Sequence, residues 1–204
     1  MPSNKRRKNG GIVMRKAFIC PTKYVQGEDE ILNLGYFVKT FGDSALLIAH
    51  PDDVKRVQEK LKRTAEKFNI RFVESGFCGE CSRREVARLQ ELAKESKCTC
   101  TIGLGGGKAI DTAKCVAEGE NLIVVPTIAA TDAPTSHSAV LYTPEGAFDD
   151  YAYFKQSPSV ILIAVSYTHL DVYKRQRYCR SLPCKQKYIL LSFSRYSISY
   201  GMVS

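Results

Sequence analysis

Four glycines within five positions, Gly103, Gly105, Gly106 and Gly107, followed by Lys108, Ala109, Ile110 and Asp111, form the stretch of this 204-residue chain best suited to chemistry. An apolar run enters it and an alanine-rich run of helical character leaves it. Glycines let a backbone approach a pyrophosphate and adopt positive φ, and a helix starting directly after them turns unpaired N–H groups and a partial positive charge toward the anion. Lys108 adds a full charge. The same triplet also suits a plain tight turn, so its surroundings decide. Thr127, Ile128, Ala129, Ala130 and Thr131 follow a second apolar run, 122–125, and open α/β sheets place ligands at the carboxyl ends of strands.

The elements that would carry these residues alternate in type. Residues 17–20 and 45–49 are short apolar runs, the second wholly apolar as a strand buried on both faces requires. Between them, 28–41 predicts a helix that stops at Gly42. Pro51 can open the next helix, in which Val54, Val57, Leu61, Ala65 and Phe68 recur at helical spacing. Residues 71–73 begin another strand. Ser82 to Glu85 make a capping-box pattern opening a helix with Val86, Leu89, Leu92 and Ala93 inward. A strand at 98–104, the glycine loop, a helix at 110–117 and a strand at 122–125 complete a repeated βα pattern. That pattern predicts an α/β fold, a mostly parallel sheet with helices on both faces. Beyond Ser136 the period changes to two: 139–142, a turn at Pro144, Glu145 and Gly146, and 147–154 predict a β-hairpin, and 158–165 one more buried strand.

The length allows one domain with a real core. The net charge of +9 points at first to nucleic acid or a membrane surface, but residues 1–13 carry +4 and 166–204 carry +6, leaving −1 for the rest. An excess confined to the ends is no basic face, so neither partner is expected. There is no signal-peptide core and no apolar run long enough to span a bilayer, so the eight cysteines read as reduced thiols of a cytoplasmic protein. Cys78 and Cys81 with Cys98 and Cys100 allow a zinc site, although the second pair is spaced by one residue instead of two. The structural reading puts Cys98 and Cys100 on one face of a buried strand and Cys81 beside a helix cap. His137 is a lone loop histidine, more often neither ligand nor base.

The glycine stretch, residues 124–136, 141–146 and 77–82 together resemble the glycerol dehydrogenases of the iron-type alcohol dehydrogenase superfamily, which is also similar to dehydroquinate synthase. The resemblance runs from about Met14 to about Val165 and covers only the amino-terminal half of such enzymes. It implies a Rossmann-like NAD-binding domain at 14–165, with a helical metal-binding second domain missing. It also implies that Gly105, Gly106, Gly107, Lys108, Ala109, Ile110 and Asp111 hold the pyrophosphate and that Thr127, Ile128, Ala129, Ala130 and Thr131 line the nucleotide. Ser136, Ser138 and Tyr142 would contact the cofactor. Asp132 would bind a small polyol near the nicotinamide, since a carboxylate accepts hydrogen bonds from vicinal hydroxyls.

Plainer readings stand beside these. Asp111 suits a cap or first-turn acid favoured by the helix dipole, and Asp132 an N-cap before Ala133 and Pro134. Ser138 replaces an apolar residue common at its position, so only its backbone role carries over. His50 stands where many relatives have an aspartate for the adenosine ribose, which leaves NAD against NADP open. The implied metal is zinc or another divalent ion, held by an aspartate and two histidines of the second domain that have no counterpart here; His169 and Asp171 are not assigned. The implied activity is hydride transfer from glycerol or a related vicinal diol to NAD by a homo-oligomer. The alternatives are a related dehydrogenase of a phosphorylated polyol, or an inactive nucleotide-binding fragment. Residues 1–13 are expected to be a basic disordered extension from an upstream start codon. Residues 166–176 resemble translated adaptor sequence, and 166–204, with six of the eleven tyrosines and seven serines, are expected to be a non-native tail.

Overall fold

The computed structural model describes residues 23–164 other than Gly119, Ala129 and Ala130. Six parallel strands form one sheet: β1 (Lys23–Gly27), β2 (Ser44–Ile48), β3 (Arg71–Glu74), β4 (Cys100–Gly105), β5 (Leu122–Pro126) and β8 (Val160–Ala164), in the order β1-β8-β5-β4-β2-β3. Every residue of β2, β4 and β5 is buried, as the unbroken apolar runs require of strands covered on both faces. On one face α1 (Leu34–Lys39) and α2 (Pro51–Phe68) cover Leu47, Ile102, Ile123 and Leu162. On the other, α3 (Arg83–Glu95) and α4 (Gly107–Ala117) cover Leu46, Ile48, Leu122 and Val124. Period-two alternation along each strand divides its apolar side chains between these two cores.

A separate antiparallel hairpin, β6 (Ser138–Tyr142) and β7 (Phe148–Tyr153), packs Ala139 and Leu141 against Cys81 and Cys115. Its turn closes through Gly146 at φ +86°, whose N–H donates to Thr143 O at 2.9 Å. A positive φ there is what the glycine supplies.

Local expectation and structure differ in four places. The helix expected at 28–41 is a 3₁₀ turn, Glu30–Asn33, and then the six-residue α1. The Thr64 hydroxyl of α2 accepts from Gly35 N at 3.0 Å and donates to Leu32 O at 2.8 Å, so a neighbouring helix takes over bonds an unbroken helix would make with itself. Cys98 precedes β4 instead of belonging to it, its sulfur 3.8 Å from Ser44 Oγ. Helix α4 begins at Gly107, three residues before the expected Ile110. The capping box is half made: Ser82 Oγ accepts from Glu85 N at 3.3 Å, while the Glu85 carboxylate turns to Arg88 at 2.6 Å. Residues 1–13, 17–20 and 166–204 lie outside the described residues. No helix among the described residues is long and apolar enough to cross a membrane.

Candidate functional site

The glycines of β4 and its exit each answer a different constraint. A Cβ at Gly103 would lie 2.8 Å from the Ala113 Cβ and 3.3 Å from the Ile110 Cα, so its absence lets α4 lie directly on the strand. Gly105 has φ +143°, a conformation that side chains rarely adopt. Gly106 is the N-cap of α4 and offers no side-chain cap, and the first helical turn holds no acid. That helix end therefore presents N–H groups without an internal anion to meet them. Thr127 N donates to Gly105 O at 3.0 Å, and Ile128 Cδ1 is 3.2 Å from where a Gly106 Cβ would be, so the loops after β4 and β5 close on each other.

Beside this helix end lies a cleft of about 430 Å³. It brings together eight of the expected residues: Gly107, Lys108, Asp111, Thr131, Asp132, Ser136, Ser138 and Tyr142. Ala133 and, from the hairpin, Val140 and Tyr151 complete the wall. Ala109 and Ile110 point into the core, 5% and 0% exposed, so only their backbones can face an anion, and Ile110 N already donates to Gly106 O at 3.1 Å. Gly105, Gly106, Thr127 and Ile128 join the two loops but do not line the cleft, whereas Ala129 and Ala130 lie outside the described residues.

Asp132 is exposed and does not cap a helix. Residues 133–135 make a turn in which Asp132 O accepts from Thr135 N at 2.9 Å and Ser136 N at 3.0 Å. The Thr131 hydroxyl accepts from Ala133 N at 3.1 Å, Pro134 has no N–H, and Thr135 N, the donor that a capping Asp132 side chain would need, goes to the Asp132 backbone oxygen instead. Its carboxylate has no hydrogen bond to another of the described residues and stays open to the cleft.

Asp111 lies in the second turn of α4, so it is not the first-turn acid of the plainer reading. It belongs to a network centred on Lys114, a residue the sequence reading passed over. Lys114 is 1% exposed and donates to Ser138 O at 2.7 Å, Ser136 Oγ at 2.8 Å and Asp111 Oδ1 at 3.3 Å. Asp111 Oδ2 accepts from Val140 N at 3.1 Å. Burial pushes the Asp111 carboxyl above its ordinary value against the pull of Lys114, and pushes the Lys114 ammonium below its own against the pull of Asp111. The network fixes β6 to α4 and thereby sets one wall of the cleft. A lysine among Ala113, Cys115 and Val116 is the signal that could have marked it.

Lys108, expected to reach toward an anion, pairs with Glu80 of the loop before α3. The other carboxylate oxygen of Glu80 is buried without a partner among the described residues. Burial, and secondarily Cys98, pushes the Cys100 thiol up to about 12, which suits a packing role. Among the described residues no group of three or more His, Cys, Asp or Glu side chains could hold a metal, so these residues offer no donor set for zinc. The uncapped helix end with its glycine cradle does fit a pyrophosphate.

Comparison with protein families matches residues 21–164 to the family described as iron-containing alcohol dehydrogenase. A glycerol dehydrogenase of Pseudomonas putida is 40% identical over 152 residues, which are 74% of this chain and 42% of that protein. One from Citrobacter freundii is 37% identical over 152 residues, with the same shares of 74% and 42%. A solved structure of a probable glycerol dehydrogenase from Sinorhizobium meliloti 1021 is similar with a TM-score of 0.66 at 33% identity, covering 76% of this chain and 42% of that one. The chain spans less than half the length of these relatives. Because the match runs from just before β1 to the end of β8, it takes in the whole described body, and the chain belongs to the iron-containing alcohol dehydrogenase family.

Proposed function

We propose that residues 14–165 are the dinucleotide-binding unit of an NAD-linked dehydrogenase that oxidises glycerol or a related small vicinal diol and works as a homo-oligomer. The observation that carries the reading is the junction of two features in one cleft: the uncapped start of α4 at Gly107, and the open carboxylate of Asp132. The backbone N–H groups at the start of α4 hold the pyrophosphate, with no side chain on Gly106 or Gly107 to displace it. Thr131, Ser136 and Tyr142 line the path from the phosphates to Asp132. Asp132 accepts hydrogen bonds from the two hydroxyls of the diol and so orients one carbinol carbon. When bound, NAD supplies the hydride acceptor. No step is assigned to a metal, because the described residues hold no donor set for one.

A phosphorylated substrate is disfavoured by the cations on hand. Lys108 is paired with Glu80, and Lys114 is buried and fully engaged, so neither is free for a second phosphate. The test is calorimetric titration of the 204-residue chain with NAD. Gly106 has φ −87°, which valine tolerates, so Gly106→Val should leave the protein folded and abolish binding by filling the cradle. Equal NAD affinity in the two proteins removes the assignment.

A further inference from the structure

Lys108, the second residue of α4, stands where a cation adds most to an anion site, and it lines the cleft. Its ammonium is nevertheless engaged outside that wall, on the carboxylate of Glu80 in the loop before α3. Of the two partners the acid is the fixed one. Its side chain is 20% exposed against 60% for the lysine. The next residue, Cys81, is buried and its backbone oxygen accepts from Tyr142 N of β6 at 2.8 Å, and Ser82 caps α3. The hairpin turn also approaches the acid: a Cβ on Gly146 would lie 3.8 Å from Glu80 Oε1. Glu80 Oε2 is buried without a partner among the described residues. A buried acceptor left unpaired is costly, so a carboxylate that keeps this pose is held there by its loop and not drawn there by the lysine.

We propose that Glu80 is a positioning residue that keeps the Lys108 ammonium off the start of α4, so that the pyrophosphate of the cofactor is held by backbone N–H groups without a side-chain cation. This rests on the dinucleotide reading above. Lys108 could turn to a phosphate only by leaving a carboxylate whose other oxygen is already buried and unpaired, and a mostly buried acid stripped of its cation is costly. The pair therefore persists when the anion arrives. Backbone donors at a helix start bind by direction and spacing, whereas an ammonium is a point charge that attracts any phosphate. A released Lys108 would tighten every phosphate-bearing ligand alike, the oxidised and the reduced cofactor included, and would slow the release on which turnover depends. With that cation neutralised by an acid from another element, the cleft takes the dinucleotide by shape and lets it go.

The test is titration of the 204-residue chain with NAD and, separately, inorganic pyrophosphate, at low and at high salt, for wild type, Glu80→Gln, Glu80→Ala, Lys108→Ala and Glu80→Gln combined with Lys108→Ala. Glu80→Gln should tighten both ligands by about threefold to tenfold at low salt, the size of one exposed charge contact, and the gain should shrink at high salt. Glu80→Ala, which leaves no polar atom to bury, should show the same gain and serves in its place if the amide does not fit the loop. Lys108→Ala should cost at least about threefold more affinity in the Glu80→Gln background than in wild type, because only there is the ammonium released to the anion. Equal costs in the two backgrounds overturn the proposal, since the gain would then come from loss of the acid alone. NAD binding that is no tighter without Glu80 than with it overturns the proposal and leaves the dinucleotide reading standing. Proteins that all bind neither ligand overturn the dinucleotide reading, and this one with it.

Discussion

Helices α2 and α4 start side by side at the carboxyl ends of neighbouring strands, and their first turns are opposite in design. Helix α2 satisfies itself: His50 caps it through Asp52 N, Pro51 fills a position where a missing N–H costs nothing, and Asp52 and Asp53 meet the dipole with negative charge. Helix α4 has a glycine N-cap, no side-chain cap and no acid in its first turn. The positive end of α2 is spent on its own fold, and that of α4 is left available. An anion site in this fold is thus read from what one helix lacks in comparison with its neighbour, more than from any residue it holds.

The contrast can be broken at three points. The largest effect is expected from Lys114→Met, because α4 presents its open end to the cleft only while its body is tied to β6. Removing the ammonium leaves the buried Asp111 without its cation and should cost about 3–5 kcal/mol of stability by urea denaturation. Adding Asp111→Leu should recover much of that loss, and a Lys114→Met protein as stable as wild type would falsify the structural role. Next is Gly106→Asp, which gives α4 the kind of self-satisfied start that α2 has. Stability should rise by a few tenths of a kcal/mol or more, while NAD affinity should fall by more than about tenfold. A variant that gains stability and keeps its affinity contradicts the assignment of the helix end. Smallest is His50→Ala, expected to cost about 1 kcal/mol of stability by urea denaturation and to leave the α4 site able to bind NAD, because the acids of α2 still refuse an anion there.

Much of this arrangement was legible in the chain, where the cause is local. Helix α2 follows the prediction because its apolar residues repeat at helical spacing and Pro51 marks its start; β2 and β5 follow because their runs are wholly apolar. The glycine loop stands out because few contexts need three consecutive glycines. What stayed hidden depends on partners far along the chain. Thr64 splits the expected helix at 28–41 from a neighbouring element, and Lys114 reaches β6 through Ser138. Asp53 meets Gly105 only because β2 neighbours β4. Periodicity reports which face of an element is apolar, and strand order decides which elements meet. The resemblance to known enzymes supplied Asp132, and the geometry adds why its carboxylate is available: Pro134 has no N–H to cap, and Thr135 N goes to the Asp132 backbone oxygen.

The pairing of β1 with β8 bears on how the body assembles in time. Lys23 faces Val160 and Gly27 faces Ala164, so the first described strand is an edge strand whose sheet neighbour is the last described strand. During synthesis β1 emerges before the other described strands, and its described sheet neighbour, β8, is made after all of them. Closing so long a loop is entropically expensive before contacts repay it, and parallel pairing of distant segments is slow for that reason. Strands β2 to β5 can pair with one another earlier, with β8 then seating on β5 and offering its other edge to β1. The glycine loop, at the end of an inner strand of that early group, is therefore shaped before β8 and β1 are seated, and the last described strand admits the first.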